Sequence, residues 1–199
     1  MSVIQIIAGP PGIGKSTVGP DYVDPDLDIL NEDDMRMRYK DKGYADYNEY
    51  SLYRVRDIIK QKLIKNKDFA LELNLGFQHQ YDYVISAKRF NEENRLEVIL
   101  FYSDSLMLCL DRARERHESG LHLVLPEIVT EMYHNTITLL KNNFGKIDLA
   151  TFIDADKDNN FVLIASYDGD AKALKMHDDK VNNWFQNDVR LFIEEQLSM

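Results

Sequence analysis

Near the start of the chain, Gly9-Pro10-Pro11-Gly12-Ile13-Gly14-Lys15-Ser16-Thr17 sets four residues between Gly9 and Gly14, directly before a lysine and a hydroxyl. Gly-x-x-x-x-Gly-Lys-Ser is the pattern of a phosphate-gripping loop. Its glycines let consecutive backbone N–H groups turn inward around an anion without a clashing Cβ. A helix expected to begin near Lys15 aims its positive end at the same anion. Lys15 then reaches the terminal phosphates of a nucleoside triphosphate, and the Ser16 hydroxyl is a ligand for Mg²⁺. Gly9 to Thr17 is therefore the expected nucleotide-binding loop, and the expected cofactor is Mg²⁺ with ATP or GTP. No base-reading motif such as Asn-Lys-x-Asp distinguishes the two nucleotides.

Further along, "NEDDMR" (Asn31–Arg36) ends a short apolar run. In open α/β sheets ligands sit beyond the carboxyl ends of strands, so Asp33 is expected at the mouth of the cradle. There it fits two duties equally: a base accepting the proton of an attacking hydroxyl, or the N-cap of a polar helix. In "LELNL" the lone carboxylate of Glu72 interrupts a buried run, which is costly unless it is paired or placed at a site; a site is favoured over a structural ion pair. "DRARERHESGLHLVLPE" puts Arg112 and Arg116 four apart, on one helix face, where they can neutralise charge on a transferring phosphoryl group. Arg114 reads as a solvated residue paired with acids. His122 taken alone reads as a surface or packing residue. Cys109, in "LMLCL", reads as a buried structural thiol. Met35, Met37 and Tyr39 read as core packing.

These groups need elements to position them. "VIQIIA" (3–8), "LDILN" (27–31), "FALELNL" (69–75), "LEVILFY" (96–102) and "LATFID" (149–154) are short apolar runs that predict buried strands. Helix-period segments lie between them. "YSLYRVRDIIKQKLIK" aligns Leu52, Val55, Ile58, Ile59 and Leu63, and "LPEIVTEMYHNTITLLKNNF" opens on Pro126 at a position that favours helix entry. Such alternation predicts an open, mainly parallel sheet with helices on both faces. Gly19-Pro20 should cut the first helix short. "NFVLIASYDGD" predicts a late strand, and "VNNWFQNDVRLFIEEQ" a C-terminal helix packed through Trp184, Phe185, Val189 and Phe192. With no linker or repeat, residues 1–199 read as a single domain.

The net charge of −10 argues against a nucleic-acid partner, whose phosphates demand a basic surface. The single cysteine and the absence of an apolar run of spanning length set the expectation of a cytoplasmic protein with no membrane partner.

Taken in order, "GPPGIGKST", "NEDDMR", "FALELNLG", "RARERHESGLH" and "IDLATFIDAD" resemble the zeta-toxin/UDP-N-acetylglucosamine kinase family, over about residues 3–156. Residues 157–199 are expected to pack on that body as a strand and a helix. The resemblance implies a P-loop NTPase fold of the kinase type. It also implies transfer of a γ-phosphate to a sugar hydroxyl, that of UDP-N-acetylglucosamine or a related small molecule. It makes Lys15 the γ-phosphate ligand, Asp33 the base, Arg112 and Arg116 phosphate neighbours, and Arg36, Glu72 and His122 substrate-side residues. A small helical antitoxin is an implied partner. The chain departs from the family at Leu73 (family Thr), Leu121 (Gly) and Met132 (Arg). Two other readings stay open: a kinase for a different sugar or nucleoside, and a nucleotide-binding ATPase or switch module with little transfer.

Overall fold

Strands β1 (Val3–Ala8), β2 (Ile29–Leu30), β3 (Phe69–Glu72), β4 (Arg95–Tyr102), β5 (Leu149–Ala155), β6 (Phe161–Asp168) and β7 (Ala173–Met176) join into one sheet in the order β2-β3-β1-β4-β5-β6-β7. The computed structural model describes residues 1–119, 124–158, 160–178 and 182–198. The first five strands run parallel, β6 pairs antiparallel with β5, and β7 pairs antiparallel with β6. Helices α1 (Lys15–Val18), α2 (Glu32–Asp41), α3 (Tyr47–Ile64), α4 (Gln78–Lys88), α5 (Leu106–Glu118), α6 (Pro126–Asn143) and α7 (Leu191–Ser198) flank the sheet. The expected mainly parallel α/β architecture is therefore present.

The apolar runs form strands because both faces of the central sheet are covered. Ile4, Ile6, Ile7 and Ala8 of β1, and Leu96 to Phe101 of β4 apart from the register-edge Glu97, are all at or near zero exposure. On α3 the predicted stripe buries Val55, Ile59 and Leu63, while Leu52 and Ile58 stay half-buried. Pro126 occupies the first turn of α6, as its missing N–H allows.

Gly19-Pro20 does end the first helix: α1 is four residues long and passes into a 3₁₀ turn over Gly19–Tyr22. The expected helix-dipole contribution to anion binding is correspondingly small, because too few peptide units align. The C-terminal segment begins as a π-helix, Trp184–Arg190, before continuing as α7. The Asp104 carboxylate accepts from the amides of Asn183 and Trp184 at 2.9 and 2.8 Å, and the Trp184 indole donates to buried Asp154 at 2.8 Å. Trp184, Phe185 and Val189 are buried as predicted, joined by Ile193, with Phe192 partly buried. The expected packing of Met35, Met37 and Tyr39 holds only for Met35. No residue of α2 is buried, and Tyr39 packs against Tyr44 and Tyr50 beyond the core.

Among the described residues no helix is long and apolar enough to cross a membrane.

Candidate active site

Strand β1 lies between β3 and β4, so the loop leaving it opens at the point where the chain's crossovers change side. The Leu73 amide donates to the Ile7 carbonyl at 3.0 Å and the Gly9 amide to the Asn74 carbonyl at 3.3 Å. These bonds hold the exits of β1 and β3 side by side, which sets the glycine loop next to Glu72.

The loop's shape is fixed by what surrounds it. Gly12 has φ +81°, and a Cβ there would run into the Cys109 carbonyl of α5. Gly14 has φ +112°, and a Cβ there would fall 2.6 Å from the Phe161 ring of β6. Both positions need a left-handed backbone and have no room for a side chain, so glycine is required twice over. Gly14 precedes α1 with no side-chain cap, leaving the first amides of the turn for an external anion.

Lys15 is almost fully buried. Its ammonium donates to the carbonyls of Gly9 and Pro10 at 2.7 and 3.0 Å and to the Asn74 side-chain carbonyl at 2.8 Å. Burial lowers its pKa from the usual lysine range to about 8, with Glu72 opposing the shift. The lysine is thus folded over the curve of the loop and held by neutral acceptors, a position from which it can turn to an incoming phosphate. Ser16 donates its hydroxyl to Glu72 Oε1 at 2.7 Å. A hydroxyl on the loop with a carboxylate on the adjacent strand is the donor set that P-loop proteins use for Mg²⁺, so these residues fit the ion. Among the described residues no three His, Cys, Asp or Glu side chains gather as a ready-made metal cage.

A cleft of about 1150 Å³ opens over the loop. Its walls include Lys15, Arg112, Arg116 and Lys157, set against Glu72, Asp111 and Glu115. Arg112 and Arg116, four apart on α5, both line the cleft, but their engagement differs. Arg112 donates to the Ile13 carbonyl at 3.1 Å and the Asp156 carbonyl at 2.8 Å, with its guanidinium over Phe161 at 5.8 Å. It ties α5 to the glycine loop and to the β5–β6 turn. Arg116, one helical turn on, makes no hydrogen bond or ion pair among the described residues and faces the same space. Arg114 pairs with Asp111 at 2.8 Å on the surface.

Asp33 stands in the first turn of α2, about half exposed. Its expected alternative duty as N-cap is corrected: the cap is Asn31, whose side-chain oxygen accepts from the amides of Asp33 and Asp34. Asn31 takes that role because its backbone is extended while Asp33 already lies within the helix. Arg36 binds both Asp33, at 2.8 Å, and Glu32, at 3.1 Å. Asp33 contributes to the field at Lys15. It is Glu32, however, that lines a second cavity of about 330 Å³ between the ends of β2 and β3, α3 and α4. Glu72 belongs to the walls of both cavities. Leu73 lines the second one, whereas Met132 is buried against Gly76 and borders neither. His122, with Gly120 and Leu121, lies outside the described residues.

Cys109 is buried beneath the loop, and burial pushes its thiol up to about 11, as befits an inert packing group. Three contributors escaped the sequence reading: Asn74, Lys157 and Phe161. Asn74 stands two residues after Glu72 in the same run, a polar interruption of the same kind.

No protein-family model matches the chain, and no curated protein matches it. Among solved structures, a chain of the AvrRxo1-ORF1:-ORF2 complex with ATP is similar at 12% identity and a TM-score of 0.63, over 88% of this chain and 60% of that one. A chain of the PezAT chromosomal toxin–antitoxin system of Streptococcus pneumoniae is similar at 12% identity and a TM-score of 0.59, over 100% of this chain and 86% of that one. This chain spans less than two thirds of the AvrRxo1 chain. At such identities the likeness is one of fold: an α/β architecture with a mainly parallel sheet flanked by helices.

Proposed function

We propose that the chain is a Mg²⁺-dependent kinase that moves the γ-phosphoryl group of ATP or GTP to a hydroxyl of a small molecule. The observation that carries this reading is the shared wall at Glu72. A cation-lined cleft over the glycine loop and a separate, smaller cavity meet at one carboxylate, itself bonded to Ser16. Two compartments joined at the end of a phosphate loop are what a donor and an acceptor need.

In this reading the loop amides and Lys15 hold the β- and γ-phosphates. Mg²⁺ supplies neutralisation of their charge, with Ser16 and Glu72 the residues that would hold it. The acceptor hydroxyl oxygen bonds to the γ-phosphorus as the bond to the bridging oxygen breaks, releasing the nucleoside diphosphate. Asp33 takes the hydroxyl proton once Arg36 yields its oxygen, and Arg116 faces the charge on the transferring group. Arg112 keeps the cleft in shape. The family resemblance makes the amino-sugar hydroxyl of UDP-N-acetylglucosamine the first acceptor to try, with nucleosides and free sugars as alternatives. It also makes a small helical antitoxin a partner to seek; the fold shared with a PezAT chain supports that search.

A second reading, a nucleotide-binding module with little transfer, is favoured by one observation: Asp33 is about half exposed and already paired with Arg36. Phosphorus NMR of the protein with MgATP and a panel of alcohols separates the two. A kinase yields a new phosphomonoester resonance that is absent with Lys15→Ala. A module yields none with any alcohol.

A further inference from the structure

The glycine loop has two flanks, and the sheet order tells them apart. Strand β3 lies on one side of β1, and β4, β5 and β6 follow on the other. On the β3 flank stand Glu72, bonded to Ser16, and Asn74, which accepts from Lys15. The smaller cavity meets the cleft there too, at Glu72. On the opposite flank the loop is walled by the turn that joins β5 to β6. The Phe161 ring stands where a Cβ on Gly14 would fall, and Arg112 ties the Ile13 carbonyl to that of Asp156.

That turn is built to keep its shape. The Asp156 carboxylate accepts from the amides of Asp158 and Asn160 at 2.8 and 3.0 Å and from the Asn160 side-chain amide at 3.0 Å. The Asp156 amide donates to the Asn160 carbonyl at 3.1 Å. The Asn160 side chain and the turn amides hold the Asp156 carboxyl below the usual carboxylate range, so its oxygens are already occupied. Lys157, the next residue, lines the cleft, exposed, and makes no hydrogen bond or ion pair among the described residues. Asp158 is not part of the cleft wall. Of the acids that are, Glu72 is bonded to Ser16 and Asp111 to Arg114, and Glu115 adjoins Arg116 in the chain. A cation carried on a rigid turn and facing a cleft attracts an anion there.

The direction of a nucleoside triphosphate in the cleft decides which anion that is. Its γ-phosphate belongs on the β3 flank, where Glu72 opens to the smaller cavity. Its nucleoside end then lies toward the β5–β6 turn. Arg116, whose charge is felt at Lys15, serves the γ end, and Arg112 is engaged with two carbonyls. We infer that Lys157 is a further nucleotide-binding residue, donating to the α-phosphate, and that the β5–β6 turn walls the nucleoside end of the site. The inference rests on the reading of the cleft as a nucleotide site, and not on whether transfer follows.

The test is calorimetric titration of the whole chain with MgATP and with MgADP, which keeps the α-phosphate and lacks the γ. Lys157→Gln keeps most of the side chain's reach and removes its charge. It should raise the Kd of both nucleotides about tenfold, the worth of one charge-assisted hydrogen bond. The ratio to wild type should narrow as salt is raised, since the contact is exposed to screening. The melting temperature should not move, because the side chain holds nothing else in place. An unchanged Kd, a loss confined to MgATP, or a loss that salt does not narrow overturns the inference and leaves the nucleotide site standing. If the wild-type chain gives no heat with either nucleotide, the reading of the cleft falls and takes the inference with it.

Discussion

The two cavities that meet at Glu72 are walled in opposite ways. Around the glycine loop almost every atom is fixed by another element: Gly12 by the backbone of α5, Gly14 by a ring from β6, and Lys15 by three oxygen acceptors. Arg112 stitches three segments together there. Across Glu72, α2 carries Asp33 and Arg36 with none of its residues buried, held to the body by α3 and an Asn31 cap. A phosphate loop needs preorganised donors, because reorganisation at the moment of binding weakens them. A face that must admit and release a ligand tolerates side chains that exchange contacts.

The largest effects should come from the rigid side. Lys15→Ala is expected to lower transfer on the order of 10²-fold or more, because it removes the one cation seated inside the loop. Gly12→Ala should also remove nucleotide binding, and in addition lower the melting temperature. It imposes a strained φ of about 1–3 kcal/mol and drives a methyl group into the Cys109 carbonyl. Calorimetric titration and thermal melts separate the two variants: Lys15→Ala keeps the melt and Gly12→Ala does not. Equal melts for both would show that the loop is not held as described.

On the exposed side, Asp33→Ala should lower kcat about 10²-fold or more and leave the Kd for nucleotide within about threefold. Steady-state kinetics with a competent acceptor makes the check. A loss of only twofold would move the base to Glu72 or Glu32.

The arginine pair sharpens the contrast within one helix. Arg116→Ala should reduce kcat with little change in stability. Arg112→Ala should cost about 1–3 kcal/mol of unfolding free energy through two lost charge-assisted hydrogen bonds and weaken nucleotide binding. Urea melts beside kinetics distinguish them, and reversed roles would contradict the clamp. The smallest effect is expected at the C-terminal segment: Asp104→Ala removes the acceptor for the Asn183 and Trp184 amides, costs about 0.5–2 kcal/mol and leaves kinetics unchanged.

The same division explains what could be read from the sequence. The glycine loop was legible because each position demands one residue type, so the pattern carries its own structure. Glu72 was legible as a carboxylate in an apolar strand, and the brevity of α1 followed from Gly19-Pro20. The cap at Asn31 was not, since Asn31 and Asp33 are both capping residues two apart and only the backbone decides between them. Nor was β7, a four-residue edge strand with alternating exposure that leaves no apolar run to notice. Phe161 and Lys157 reach the cleft only because β6 turns back antiparallel beside β5, a tertiary event with no local signal.

The central claim, that backbone amides and a buried lysine grip a triphosphate, is tested most directly by calorimetry of MgATP binding from pH 6.5 to 9.5 in buffers of different ionisation heat. Lys15 in the free protein titrates at about 8, and a bound triphosphate favours its charged form. Below that pH the lysine is already charged, so binding should take up no proton through it. Above it, binding should draw up to one proton, and affinity should fall toward tenfold per pH unit. One-to-one binding with that proton uptake, lost in Lys15→Met, is the predicted result. An absence of heat at every pH, or binding indifferent to the loss of Lys15, would contradict the account.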